Sequence, residues 1–179
     1  MNKVYYTGKH LYFRAIESED APIIAAWRND PESWRTLGQM NPLNRIREEE
    51  FISALYKPGG DIVLGINLFD GERFIGMCGL HRIDSIARSA TFGILIGGEQ
   101  DRGHGHGVEA TRLMVQYGFE ELNLNRIELC VFADHPKGIH VYTQAGFVKE
   151  GVMRDAYFRN GEYHDAIHMA ILRKEWSPE

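Results

Sequence analysis

The sequence predicts one α/β domain over 1–179, built on a twisted, mixed, mostly antiparallel sheet with helices on its faces. Three observations point there. A chain of 179 residues, 44% hydrophobic and 25% charged, is enough for a single domain with a sizeable core. Its periodic segments fall in the order β, α, α, β, β, β, α, β, α, β, β, and no repeat, low-complexity tract or linker interrupts them. A strand, a glycine-rich loop, a long helix and another strand occupy 89–132, a crossover that makes the two flanking strands parallel.

"LYFRAI" (11–16) reads as the first strand. "SEDAPIIAAWRND" follows as a helix, capped by Ser18 or Asp20, with Pro22 early enough to be tolerated and Ile23, Ile24 and Trp27 on its apolar face. "NRIREEEFISALYK" (44–57) is a second helix, with Ile46, Phe51 and Leu55 among its apolar positions. "IVLGINLF" and "RFIGMCGLHRI" are strands around Asp70-Gly71, a hairpin signal. "SATFGILIGG" (89–98) is another strand. The helix after the loop, over 107–122, carries Val108, Thr111, Val115, Phe119 and Leu122 on one side; Glu109, Arg112, Gln116 and Glu120 lie on the other. "RIELCVF" (126–132) is a strand, "PKGIHVYTQAG" a short helix, and "GVMRDAYFRNGEYHDAIHMAIL" two strands around Asn160-Gly161.

A net charge of −5 argues against a broad nucleic-acid surface and mildly favours a cationic partner. No apolar run is long enough to span a bilayer, and "MNKVYYTGKHLYF" lacks the apolar stretch of a signal peptide. The expectation is a cytoplasmic protein without membrane association. Cys78 and Cys130 both sit in apolar strand-like runs. A disulfide stays open, and two buried thiols are the simpler expectation. His104-x-His106 and His164-xxx-His168 raise a metal alternative. The second pair falls in a strand, and no cysteine or carboxylate cluster completes a tetrahedral set, so no metal is expected.

"QDRGHGHGVEATRLMVQYGFEEL" enters its helix without Ser, Thr, Asp or Asn as a cap. Gly103, Gly105 and Gly107 let the backbone turn sharply and let a ligand approach it. The first-turn N–H groups then face an anion, above all a phosphate, with Arg102, His104 and His106 able to add positive charge. Glu109 counts against an anion unless it faces away. Read by itself, the loop is equally a flexible connector. It fits neither G-x-G-x-x-G nor a Walker A loop.

Gln100-x-x-Gly103-x-Gly105 at a helix entrance resembles the acyl-CoA pyrophosphate loop of the GNAT N-acetyltransferase family. "IHVYTQAGF" (139–147) is similar to that family's short helix and the Gly-Phe that begins its penultimate strand. "GVMRDAYFRNGEYHDAIHMAIL" resembles the C-terminal hairpin of its Rim-type subfamily, which includes ribosomal-protein and spermidine acetyltransferases, and "WRNDPE" (27–32) fits the same group. These motifs stand in family order over about 9–176.

The resemblance implies a transferase that moves an acetyl group from acetyl-CoA to a primary amine by direct attack in a ternary complex. The sheet then splays between the strands at 90–97 and 126–132, and the pantetheine arm bonds backbone groups of Ile94, Leu95 and Ile96. Arg102, Gly103, His104, Gly105, His106 and Gly107 hold the pyrophosphate, and His135 and Lys137 complete the cofactor-binding set. A backbone N–H stabilises the oxyanion, and Tyr142 protonates the departing sulfur. The alternative for an isolated tyrosine is packing on a helix face. The acceptor stays open among a protein N-terminus, a polyamine, an amino sugar and a small amine. Trp34 and Arg35 are candidates for its pocket or for packing, and the assembly is a monomer or homodimer.

Two positions depart from the family pattern. His135 stands where relatives often carry Asn, and Thr91 where Rim-type relatives often carry Glu, two residues before a glycine. The usual general base is therefore missing, and His81, Asp84, Asp134 and His135 are candidates without geometry. A catalytically silent acyl-CoA sensor is the alternative function that these departures raise.

Overall fold

The computed structural model describes residues 4–38, 41–57 and 59–177. Along the chain run β1 (Tyr6–Thr7), β2 (Leu11–Arg14), α1 (Ala21–Asn29), α2 (Pro31–Leu37), α3 (Arg45–Leu55), β3 (Ile62–Leu68) and β4 (Phe74–Asp84). Then come β5 (Ser89–Ile96), α4 (His106–Glu120), β6 (Arg126–Phe132), α5 (Pro136–Gln144), β7 (Val148–Arg159) and β8 (Glu162–Leu172). The strands form one sheet in the order β1-β2-β3-β4-β5-β6-β8-β7. β5 and β6 are parallel, as the crossover through α4 requires. The remaining neighbours are antiparallel. This is the mixed, mostly antiparallel sheet that the sequence predicts.

The β5–β6 pairing is short. It joins Ser89 to Arg126, Ala90 to Ile127 and Thr91 to Glu128. β5 stays paired with β4 as far as Ile96. From Phe92 onward its other edge therefore parts from β6, and the sheet splays there.

Each face of the sheet buries a different set of helices. On one face, Leu113, Met114 and Phe119 of α4 pack with Leu80, Phe92, Ile127, Leu129 and Met169. On the other, Ile24 of α1 and Ile52 of α3 pack with Ile16 and Val63. Strand alternation makes this possible, since Val63 and Leu64 point to opposite faces.

Several expectations change at this level. Ile23 is 42% exposed and Ile46 63% exposed, so Ile24 and Ile52 carry the contacts instead. Asp20 makes no side-chain cap on α1. Its carboxylate accepts two bonds from Arg14 (2.7 and 2.9 Å) and one from the Glu17 N–H (2.9 Å). Cys78 is buried but Cys130 is exposed, and both are free thiols. Along β6, Ile127, Leu129 and Val131 take the core positions, which turns Cys130 outward. β1 and α2 are elements that the sequence reading does not contain. α2 is capped by Asp30, whose side chain accepts from the Ser33 N–H at 3.1 Å.

Candidate functional site

The glycine loop links the free end of β5 to α4. Gly103 and Gly105 have φ of 82° and 84°, the left-handed region that a β-carbon disfavours. Gly105 is the N-cap of α4, and no side chain caps the helix. The first-turn N–H groups are thus left to solvent or a ligand. A β-carbon at Gly107 would meet Val141 of α5 and Ile96 of β5, so the loop, β5 and α5 converge at this point.

Glu109 lines the same cleft as the loop but is engaged by the chain at the start of β2. Its carboxylate accepts from the N–H groups of His10 (2.7 Å) and Leu11 (3.3 Å) and lies 3.0 Å from His10 Nδ1. Desolvation works to raise its pKa, but these bonds outweigh it and hold the carboxyl below its usual range. The rings of His104 and His106 lie 5.9 Å apart. Burial, then the neighbouring His104, pushes the His106 pKa down. A cleft of about 550 Å³ beside the loop is lined by His10, Arg73, Asp101, His104 and His106, among others.

Arg102 is committed elsewhere. Its guanidinium donates to the carbonyls of Ile96 (3.2 Å) and Gly97 (2.7 Å), to Ser33 Oγ (2.9 Å) and to Glu32 (2.9 Å). It ties the end of β5 to α2, and Glu32 offsets its charge.

On β5 the main-chain directions follow from one bond. The Gly97 N–H donates to Ile75 O at 2.8 Å, and Ile96 is the Cα partner of Gly76. In an antiparallel ladder this makes Ile96 and Ile94 the residues whose backbone groups point away from β4, into the gap. The groups of Leu95 point toward β4. Arg102 takes the Ile96 carbonyl, so Ile94 is the position with both main-chain groups on the open edge.

Tyr142, on α5, packs edge-on to Phe92 (6.2 Å) and near Phe147 (6.1 Å). Burial raises its pKa to about 12, and among the described residues its hydroxyl has no hydrogen-bond partner. His135 precedes α5 without capping it, and its ring folds onto Gly138, where a β-carbon would come within 2.4 Å. Burial lowers its pKa. Lys137 is exposed on the first turn of α5.

The opposite face of β5 presents Thr91 and Gly93. Here His81 of β4 has its Nδ1 2.7 Å from Asp61. Asp84 closes the turn after β4 through the N–H groups of Ile86 and Ala87 (2.8 and 2.7 Å). Asp134 is bonded by Arg159. Trp34 and Arg35 stack on each other at 5.4 Å on α2. α2 ends at Gly38, beside Phe132 and Tyr157. The pairing of His81 with Asp61 is not legible in the sequence, because the partners lie 20 positions apart, Asp61 just before β3 and His81 on β4.

Comparison with known proteins places the chain in a family. Residues 10–148 match the model of the acetyltransferase (GNAT) domain. A Bacillus subtilis (strain 168) protein named "Putative ribosomal N-acetyltransferase YdaF" is 38% identical over 179 aligned residues, covering 96% of each chain. Spermidine N(1)-acetyltransferase of Escherichia coli (strain K12) is 37% identical over 110 residues, 62% of this chain and 58% of that one. A solved structure of spermidine N-acetyltransferase from Vibrio cholerae, in complex with CoA and spermine, superposes with a TM-score of 0.87 at 28% identity. That superposition covers 94% of this chain and 98% of the other.

Proposed function

Because the chain belongs to the GNAT acetyltransferase family and is an N-acetyltransferase using acetyl-CoA, we propose that the acyl arm lies between β5 and β6 and that a cationic primary amine enters from the face opposite α4 and α5. The observation that carries this is the free edge of β5. Ile94 turns its main-chain groups into the gap, at the foot of a helix with no side-chain cap. A pantetheine arm has amides to pair with that edge, and its pyrophosphate suits the N–H groups after Gly105.

Gly103, Gly105 and the first turn of α4 hold the pyrophosphate, with His104 and His106 beside it and Lys137 exposed on the first turn of α5. Arg102 serves by fixing the loop through its bonds to Ile96, Gly97 and α2. Leu95 serves through burial, as its main chain is turned to β4. Holding thioester and amine together supplies much of the rate. An N–H on β5 stabilises the oxyanion, and Tyr142 protonates the departing sulfur.

The acceptor class is bracketed by relatives with ribosomal and spermidine names, and a net charge of −5 favours a cation. The test is release of free thiol from acetyl-CoA in the presence of spermidine, glucosamine or a short peptide with a free α-amine. Saturable, acceptor-dependent release is expected with at least one. Tight CoA binding with no release from any acceptor favours the silent sensor instead.

A further inference from the structure

We propose that His81, oriented by Asp61, is the general base that takes a proton from the acceptor amine; this rests on the acetyl-transfer reading above. The carboxylate expected two residues before Gly93 is replaced by Thr91, and the Cα partner of Thr91 on the neighbouring strand is His81. The two side chains therefore share a face, the one opposite Phe92 and Tyr142.

The geometry sets which imidazole nitrogen is free. One oxygen of Asp61 lies 2.7 Å from His81 Nδ1, and the other accepts the Arg82 N–H at 3.0 Å. The carboxylate is held at both ends. Desolvation opposes its charge, but the bonds from His81 and Arg82 outweigh that and keep its pKa below the usual value. An ionised Asp61 accepts the proton on Nδ1, which leaves the lone pair on Nε2. That nitrogen lies 3.3 Å from where a β-carbon of Gly93 would stand. Glycine there lets the ring rest on β5, one residue before Ile94 and the gap. The side chain is 32% exposed, so it exchanges protons with solvent.

The neighbouring groups are already engaged. The same face carries Arg82 of β4, Glu128 and Cys130 of β6, His168 of β8 and Tyr157 of β7. Glu128 is paired with Arg126 (2.9 Å) and lies 3.5 Å from His168 Nε2; His168 Nδ1 lies 3.4 Å from Glu150. Burial raises the Cys130 and Tyr157 pKa values, so neither is a base near neutrality. Among the described residues, His81 Nε2 has no hydrogen-bond partner.

His81 Nε2 takes one proton from the ammonium, leaving a neutral amine. Its lone pair forms the C–N bond as the carbonyl pair moves to oxygen. On collapse the C–S pair leaves with sulfur, which takes the Tyr142 proton. The surplus proton on nitrogen passes through solvent and restores the phenol. The imidazolium then releases its proton, one for each turnover.

The test compares wild type, His81→Gln, Asp61→Asn and Asp61→Glu with acetyl-CoA and whichever of spermidine, glucosamine or the peptide turns over. CoA affinity is measured by calorimetry alongside. His81→Gln is expected to lower kcat by about 10²-fold or more. It should leave the CoA Kd unchanged and remove the acid-side limb of the kcat/KM profile. Asp61→Asn should lose less, with partial rescue in Asp61→Glu. An unchanged kcat and pH profile in His81→Gln overturns the assignment, as does a loss confined to KM or matched by weaker CoA binding. A wild type that releases no thiol with any acceptor overturns the acetyl-transfer reading itself, and the base with it.

Discussion

Tyr142 shows how one residue's role depends on what surrounds it. It is wedged near Phe92 and Phe147, as any packing tyrosine would be, yet its hydroxyl has no hydrogen-bond partner among the described residues. With its pKa raised to about 12 by burial, it keeps its proton throughout neutral pH and is a standing donor. Tyr142→Phe should therefore leave the CoA Kd intact and lower kcat by about 10²-fold. Equal turnover in both proteins would remove the hydroxyl from the mechanism, and a change in KM alone would mean positioning. The sequence indicated Tyr142 through its place before Ala145-Gly146-Phe147. It could not indicate the use of Arg102, whose charge looked available to a phosphate. Its partners Glu32 and Ser33 lie 70 and 69 positions away, and nothing in the local pattern marks them.

The elements were legible where hydrophobic period and turn residues agreed. The Asp70-Gly71 hairpin, the parallel crossover and α4 all lie where the pattern puts them. Faces were harder. Ile23 and Ile24 are adjacent and equally apolar, and the docking angle of α1 decides which is buried. In α3 the pattern is weakened by Glu48, which is fully buried against Arg28 at 3.3 Å. Desolvation raises the Glu48 pKa above its ordinary value of 4.5, and the charge and hydrogen bond of Arg28 only partly oppose it. The native state then holds this proton more tightly than the unfolded chain does. The stability from that preference is fully present below about pH 4.5 and is lost as pH rises through the folded pKa. Replacing the group with Glu48→Gln removes the loss. The Tm of the variant relative to wild type should therefore increase from pH 4 to 7. A decrease over that range would mean that attraction to Arg28 exceeds the cost of burial.

Across the whole molecule, the two faces of the sheet divide the work. α4 and α5 bring the glycine loop and Tyr142 to one side of the sheet, while α1 and α3 pack on the other, where His81 of β4 meets Asp61. The gap between β5 and β6 joins them. Family order in the motifs made the splay foreseeable, because a sheet that parts must give its backbone groups another partner. The roles of individual residues along it were less accessible. The direction of the Ile94 main chain depends on register with β4, and register is a property of paired strands. The same holds for Asp61 and His81. Among the described residues, no helix is long and apolar enough to cross a membrane.

The position of the acyl arm is tested most directly by amide hydrogen exchange with and without CoA. Slowed exchange is predicted at Ile94 on β5 and at Gly105–Val108 at the start of α4, with Asp70–Arg73 in the β3–β4 hairpin unchanged. Protection confined to the cleft around His10 and Arg73, with β5 exchanging as before, would contradict a cofactor lying in the splayed sheet.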